Sequence, residues 1–139
     1  MADLKVWKQL KSAIVSPEEI NRISPASWAY VGDAVYELYV RSFYLMPPKR
    51  SRAHHQLVVG EVRAESQARH LKTLEPYLTS EELEIVRRGR NATFGTPKRL
   101  DKKIYQQATS LETLIGYLYL TDFDRLTELL ERLELGNGE

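Results

Sequence analysis

Apolar residues recur at intervals of three and four along this chain, and each run closes at a proline or a helix-capping sequence. That pattern admits helices and little else. Ile104, Ala108, Leu111, Ile115 and Leu118 step by four, three, four and three, and Leu57, Val58, Val62, Ala68 and Leu71 keep one helical face. Ser16-Pro17-Glu18-Glu19 and Ser24-Pro25 are start signals, with a serine to cap and a proline at the first helical position. Helices are expected over Leu4 to Ile14, from Ser24-Pro25 to about Leu45, and from Ser51 to Leu74. Further helices are expected from Thr79 to Gly89–Asn91, from Lys98 to Leu120, and from Asp122 to Leu133. Pro47-Pro48 and Pro76 stop two of them, Asn91 to Pro97 reads as a loop, and the Gly136-Asn137-Gly138 end should fray. No alternating pattern of useful length, internal repeat or low-complexity segment appears. The expected class is all-α.

With 139 residues the chain is expected to be one domain, its core spanning about 20–133. The absence of cysteine excludes a disulfide framework, thiolate zinc sites and a thiol nucleophile. No apolar run suits a membrane span, and Asp3, Lys5, Lys8 and Lys11 interrupt any signal-peptide core. A cytoplasmic location is therefore expected. The net charge of +1 speaks against a strong nucleic-acid binder until it is divided by segment. Residues 87–120 hold seven basic side chains (Arg87, Arg88, Arg90, Lys98, Arg99, Lys102, Lys103) against Asp101 and Glu112, while residues 121–139 hold six acidic and two basic. Screening confines fields to about 10 Å, so a local basic block can bind phosphates on a neutral chain. A solvated helix surface is the plainer alternative.

Familiar catalytic patterns are missing. His54 and His55 are adjacent rather than one helical turn apart, and no zinc motif, serine elbow or glycine-rich phosphate loop is present. Two carboxylates stand out instead. Asp33 lies mid-helix in Trp28-Ala29-Tyr30-Val31-Gly32-Asp33-Ala34-Val35-Tyr36, and Glu112 lies in Leu111-Glu112-Thr113-Leu114-Ile115-Gly116. A carboxylate on a largely apolar helix needs a partner, which can be a facing helix cap, an arginine or a metal ion. Gly32 beside Asp33 permits close approach of another helix or a ligand. Two carboxylates on separate helices suit a hard cation such as Mg²⁺, which keeps several waters and needs few protein ligands.

These residues carry a resemblance. Gly32-Asp33-Ala34-Val35 with Glu37-Leu38, followed by Leu111-Glu112-Thr113-Leu114-Ile115-Gly116, resembles the two signature helices of the ribonuclease III catalytic domain. Arg87-Arg88-Gly89-Arg90-Asn91-Ala92, the Lys98 loop and Ala108-Thr109 narrow the match to the Mini-ribonuclease III branch, over about residues 20–133. The chain stops where a double-stranded-RNA-binding domain would be expected to begin. Within the resemblance, Asp33 and Glu112 match metal-binding, catalytic carboxylates. Two further acidic positions of full-length ribonuclease III are Ala29 and Thr109 here, which leaves the number of bound ions open and lowers the expected Mg²⁺ affinity.

The resemblance implies a homodimeric helical endonuclease domain that cuts structured double-stranded RNA with Mg²⁺, Mn²⁺ substituting. The implied task is maturation of 23S ribosomal RNA precursor ends, with help from a ribosomal protein. Arg88, Arg90, Asn91, Lys98 and Arg99 are the candidate RNA contacts, since an A-form duplex offers phosphates and a shallow minor groove. A non-catalytic RNA-binding module is the alternative, with Ala29 and Thr109 as its supporting features. Glu37 stands four residues before Arg41, the orientation of a helix ion pair. His54 and His55 are open between surface and phosphate contact. Trp28, Tyr30, Tyr36, Tyr117 and Tyr119 are expected in the core or a dimer interface rather than as base-stacking platforms.

Overall fold

The computed structural model describes residues 15–92 and 101–136. Within them the helices are α1 Pro17–Ile20, α2 Pro25–Phe43, α3 Ser51–Val62, α4 Ala64–Leu74, α5 Ser80–Asn91, α6 Lys102–Thr121 and α7 Phe123–Glu131, with a 3₁₀ turn at Glu75–Tyr77. No strand occurs among the described residues, as the periodicity requires. Helix α6 is buried on nearly every side, through Ala108, Ser110, Leu111, Thr113, Leu114, Ile115, Gly116 and Leu118. A helix enclosed all round belongs at the centre of a bundle. Here α2, α4 and α5 pack directly on α6, while α7 closes one end with Phe123, Leu126, Leu129 and Leu130. Trp28 and Tyr36 are buried in this core, and Trp28 meets Tyr117 edge-on with centroids 5.1 Å apart.

The starts follow the capping chemistry. Ser16 and Ser24 accept from the amides of Glu19 and Ser27, both at 3.2 Å. Thr79 and Glu82 form a full capping box, each side chain bonding the other's backbone amide. One boundary differs from the expectation of a helix from Lys98. Asp101 caps the amides of Lys103 and Ile104, so α6 begins at Lys102. The expected helix over Leu4 to Ile14 and most of the Asn91–Pro97 loop lie outside the described residues.

The continuous helix expected over Ser51 to Leu74 is two helices. Arg63 is extended (φ −68°, ψ 156°) and divides α3 from α4. The break is held by side chains that take over carbonyls released at the end of α3. Ser66 Oγ donates to the Gly60 carbonyl at 2.5 Å, and Gln67 Nε2 donates to the Val62 carbonyl at 3.0 Å. Neither proline nor glycine marks position 63, so the periodicity runs through the corner without showing it.

Of the Gly136-Asn137-Gly138 end, expected to fray, only Gly136 is among the described residues, and it is tied to the core. Its amide donates to Glu61 Oε2 at 2.8 Å, and its φ of +87° is one that glycine adopts readily. Glu61 is buried and also accepts from the Tyr44 hydroxyl at 2.5 Å and pairs with His70 Nε2 at 3.1 Å. One carboxylate thus ties together α2's end, α3, α4 and the last described residue.

Candidate active site

The site begins with the crossing of α2 and α6. Gly32 lies so close to α6 that a Cβ there would stand 1.7 Å from the Glu112 carbonyl oxygen. Backbone therefore meets backbone, and Asp33, the next residue, is carried to the side chain of Glu112. Asp33 is exposed at the rim of this crossing rather than enclosed by its apolar neighbours, and Glu112 is partly buried beside it. The partner Asp33 needs is thus neither a helix cap nor an arginine but a second carboxylate.

Facing carboxylates disfavour joint ionisation. Burial first, then the charge of Asp33 and a hydrogen bond with it, push the Glu112 carboxyl up to about 8; a hydrogen bond from Gln67 works in the other direction. No Lys or Arg forms an ion pair with either carboxylate among the described residues. The pair is thus, among the described residues, an all-oxygen donor set without an ion-pair partner, which fits a hard divalent cation with water completing its shell. Among the described residues no group of three or more His, Asp or Glu converges on one point. Ala29, buried one turn before Asp33, and Thr109, one turn before Glu112, add no charge.

Other marked residues fall elsewhere. Glu37 pairs with Arg41 at 2.5 Å along the exposed face of α2, the i,i+4 ion pair its spacing foretells. His54 Nε2 lies 2.9 Å from the Arg41 carbonyl oxygen, and both His54 and His55 line a small cavity with Arg41, Ser51 and Val58. Tyr30 is 83% exposed, beside the carboxylate pair in sequence and outside the core that takes Trp28 and Tyr36.

The basic block approaches the same helix from the other side. Gly89 of α5 sits against Thr113, the residue after Glu112; a Cβ on Gly89 would lie 2.5 Å from the Thr113 hydroxyl. Arg88 and Arg90 emerge on either side of that contact, exposed, followed by exposed Asn91. Arg88 is 3.5 Å from Glu84. Arg90 has no ion-pair partner among the described residues. Lys98 and Arg99 lie outside the described residues.

Sequence reasoning missed Gln67. It stands four residues before Leu71 and seven before Leu74, on the buried face of α4. A primary amide on an apolar helical stripe must find partners, and that was the available signal. Its amide donates to the Val62 carbonyl at 3.0 Å.

Comparison with known proteins identifies the family. Residues 26–122 match the family model described as Ribonuclease III domain. The chain is 56% identical over 119 residues to the Mini-ribonuclease 3 of a Synechococcus strain, covering 86% of each chain. It is 44% identical over 122 residues to the Mini-ribonuclease 3 of Kosmotoga olearia, covering 86% of this chain and 81% of that one. A crystal structure of a Fusobacterium nucleatum protein superposes with a TM-score of 0.72 at 28% identity, over 78% of this chain and 90% of the other.

Proposed function

From the premise that this chain belongs to the ribonuclease III family and is an endoribonuclease, we propose that it cuts structured double-stranded RNA at the Asp33–Glu112 pair. Its membership sets aside the reading of a non-catalytic RNA-binding module. The observation that carries the proposal is the pairing itself: two carboxylates from different helices brought together where Gly32 meets α6, with no ion pair to either among the described residues. Asp33 and Glu112 would hold Mg²⁺, or Mn²⁺ in its place. Bound there, the ion supplies Lewis acidity toward water and a phosphodiester near neutral pH.

The chain's own residues do the rest. Asp33, exposed, presents its carboxylate toward the substrate side, and Glu112, set deeper, backs it. Arg90, Asn91 and Arg88 offer charge and hydrogen bonds to phosphates and 2′-hydroxyls, with Lys98 and Arg99 continuing the block along the chain. Such contacts position a duplex by shape rather than by sequence. Tyr30, with Leu38 also exposed on α2, supports a homodimer in which two such sites serve the two strands. No described helix is long and apolar enough to cross a membrane, which is in keeping with a cytoplasmic enzyme. The substrate proposed is the 23S ribosomal RNA precursor, whose paired ends provide the duplex, with a ribosomal protein assisting.

The test is cleavage of a structured ribosomal RNA precursor with Mg²⁺ present or chelated, using Asp33→Asn and Glu112→Gln alongside the wild type. Metal-dependent cutting by the wild type and a loss of at least a hundredfold in both variants is expected. Normal cutting by Asp33→Asn would overturn the assignment.

A further inference from the structure

A second basic block precedes the one at Arg87, and a count by segment conceals it. Over residues 47–86 six Lys and Arg are balanced by six Asp and Glu, but every one of those acidic side chains lies after Gly60. From Leu38 to Gly60 the chain carries Arg41, Lys49, Arg50, Arg52, His54 and His55 and no carboxylate. The fold gathers several of them. Helices α2 and α3 pack together, and Arg41, Ser51, His54, His55 and Val58 line a cavity of about 160 Å³. The lining residues of α3 stand at i, i+3, i+4 and i+7, which is one helical face. His54 is held there by its 2.9 Å contact with the Arg41 carbonyl oxygen. Arg41 gives one guanidinium nitrogen to Glu37, which leaves its other N–H groups free to donate. The Lys49 ammonium is taken up by the Tyr44 and Pro47 carbonyls. Arg50 and Arg52 are exposed, with no ion-pair partner among the described residues.

This block has a fixed relation to the carboxylate pair. Asp33, Glu37 and Arg41 step by four along α2 and share one face. At 1.5 Å per residue Arg41 stands about 12 Å along the helix from Asp33. An RNA strand that leaves the pair along α2 therefore meets Arg41 and the start of α3. We propose that this is a second phosphate-binding surface for the duplex: Arg41, His54 and His55 at the cavity, with Arg50 and Arg52 beside them, take backbone phosphates away from the point of cutting. The inference rests on the reading of the chain as a nuclease that cuts duplex RNA at Asp33 and Glu112. Guanidinium and imidazole groups are donors suited to phosphate oxygens, and contacts of this kind set register on a duplex without reading its sequence. The surface adds to the one at Arg88 and Arg90, since it belongs to α2 and α3 and that one to α5.

The plainer role for these side chains is a solvated surface. The experiment measures affinity for a perfectly paired RNA duplex from 50 to about 200 mM salt, on a Glu112→Gln background that cannot cut. The variants are Arg50→Ala with Arg52→Ala, His55→Ala, and Lys72→Ala, which removes one exposed cation from α4 as the control. Arg50 and Arg52 hold no ion pair and His55 is exposed, so folding is expected to be kept, and thermal melts check it. Each phosphate contact removed should lower the slope of log affinity against log salt by about 1. The double arginine variant should therefore lose about 2 in slope, and His55→Ala should bind several-fold more weakly. Lys72→Ala should match the background. The duplex is then shortened stepwise from both ends about the mapped cut. Below one length the parent should fall to the affinity of the double arginine variant, which has nothing left to lose there. A purely structural effect would lower affinity by the same factor at every length.

A slope in the double arginine variant equal to that of Lys72→Ala would overturn the proposal, as would a loss that does not depend on duplex length. Unchanged RNA affinity with a shift from dimer to monomer would also overturn it and make this face a contact between copies of the chain. Cutting of the same duplex with Mg²⁺ identifies which reading has failed. If Glu112→Gln cuts as the wild type does, the assignment of the carboxylate pair is wrong. If the wild type cuts, Glu112→Gln does not, and the arginine and histidine variants bind as the parent does, only the second surface is wrong.

Discussion

Gly32 and Gly116 are packed backbone against backbone, each nitrogen under 3 Å from the point where the other's Cβ would stand. The contact is reciprocal: a Cβ on Gly32 would meet the Glu112 carbonyl oxygen at 1.7 Å, and one on Gly116 would meet the Trp28 carbonyl oxygen at 1.7 Å. No side chain separates the helices at this point. That spacing brings Asp33 and Glu112 to one another, so the same two glycines determine the packing of the core and the geometry of the site.

Gly116→Ala is therefore expected to destabilise, although alanine ordinarily improves a helix by about 0.5–1 kcal/mol. The obstructing atoms are backbone and cannot rotate away. A loss of about 3 kcal/mol is expected, read as a fall in melting temperature of roughly 10 °C, with activity falling too. Gly60→Ala is the internal control. A Cβ at Gly60 meets nothing within 4 Å, so this change should be neutral or stabilising.

Much of this was legible in the sequence. The glycines beside Asp33 and after Glu112 announce a close approach, and the two carboxylates stand out against apolar helices. The Glu37–Arg41 pair and the Thr79 start follow from spacing and capping chemistry alone. What was not legible depends on distant contacts. The corner at Arg63 is stabilised by Ser66 and Gln67 reaching back to freed carbonyls, and no local breaker encodes it. Gly136 looks like a fraying end because its partner, Glu61, lies 75 residues away. Asp33 reads as enclosed because periodicity gives a face but not how far that face is covered.

The carboxylate pair should cost stability when no cation is present. Two like charges about 4 Å apart repel by about 1 kcal/mol in bulk water and by about 4 kcal/mol at the effective dielectric near a protein surface, and a partly exposed pair lies between the two. Asp33→Asn in EDTA at alkaline pH should therefore melt a few degrees above wild type while being inactive. Adding Mg²⁺ should raise the wild-type melting temperature and leave the variant's unchanged. A variant less stable than wild type in EDTA would contradict this.

Acid sensitivity should trace to Glu61. Burial alone would raise its carboxyl, but hydrogen bonds from His70, Tyr44 and the Gly136 amide outweigh it and hold the group at about 2, against an ordinary 4.5. Between those values the unfolded chain binds the proton and the folded one does not. Its stabilisation is thus fully present above pH 4.5 and disappears as pH falls through about 2, on the order of 3 kcal/mol in all. Glu61→Gln should flatten the stability profile between pH 5 and 2 and lower stability at pH 7. Urea unfolding across that range measures both.

Arg125 and Glu82 clamp α7 to the start of α5. The guanidinium donates to both carboxylate oxygens, at 2.8 and 2.9 Å, and to the Tyr77 carbonyl at 2.7 Å. Those bonds hold the buried Glu82 carboxyl below its usual range. Arg125→Met leaves that carboxylate without its cation and should cost about 3 kcal/mol. Arg125→Lys should recover little of it, since one ammonium cannot span three acceptors as the guanidinium fork does. The double change Glu82→Gln with Arg125→Met should be milder than Arg125→Met alone, because the stranded charge is gone while the Thr79 cap retains an acceptor.

The basic residues flanking Gly89 should differ in their contribution to RNA binding. Arg88 lies 3.5 Å from Glu84, which also takes Arg87 at 2.5 Å, so part of its charge is already engaged. Arg90 is exposed with no ion-pair partner among the described residues and can meet a phosphate without first breaking a contact. Each phosphate contact removed should reduce the slope of log affinity against log salt by about 1. Arg90→Ala is expected to do so, weakening duplex binding about equally across sequences, whereas Arg88→Ala should change the slope by less than half as much. Equal slopes in wild type and Arg90→Ala, measured from 50 to about 200 mM salt on a Glu112→Gln background that cannot cut, would remove Arg90 from the RNA interface.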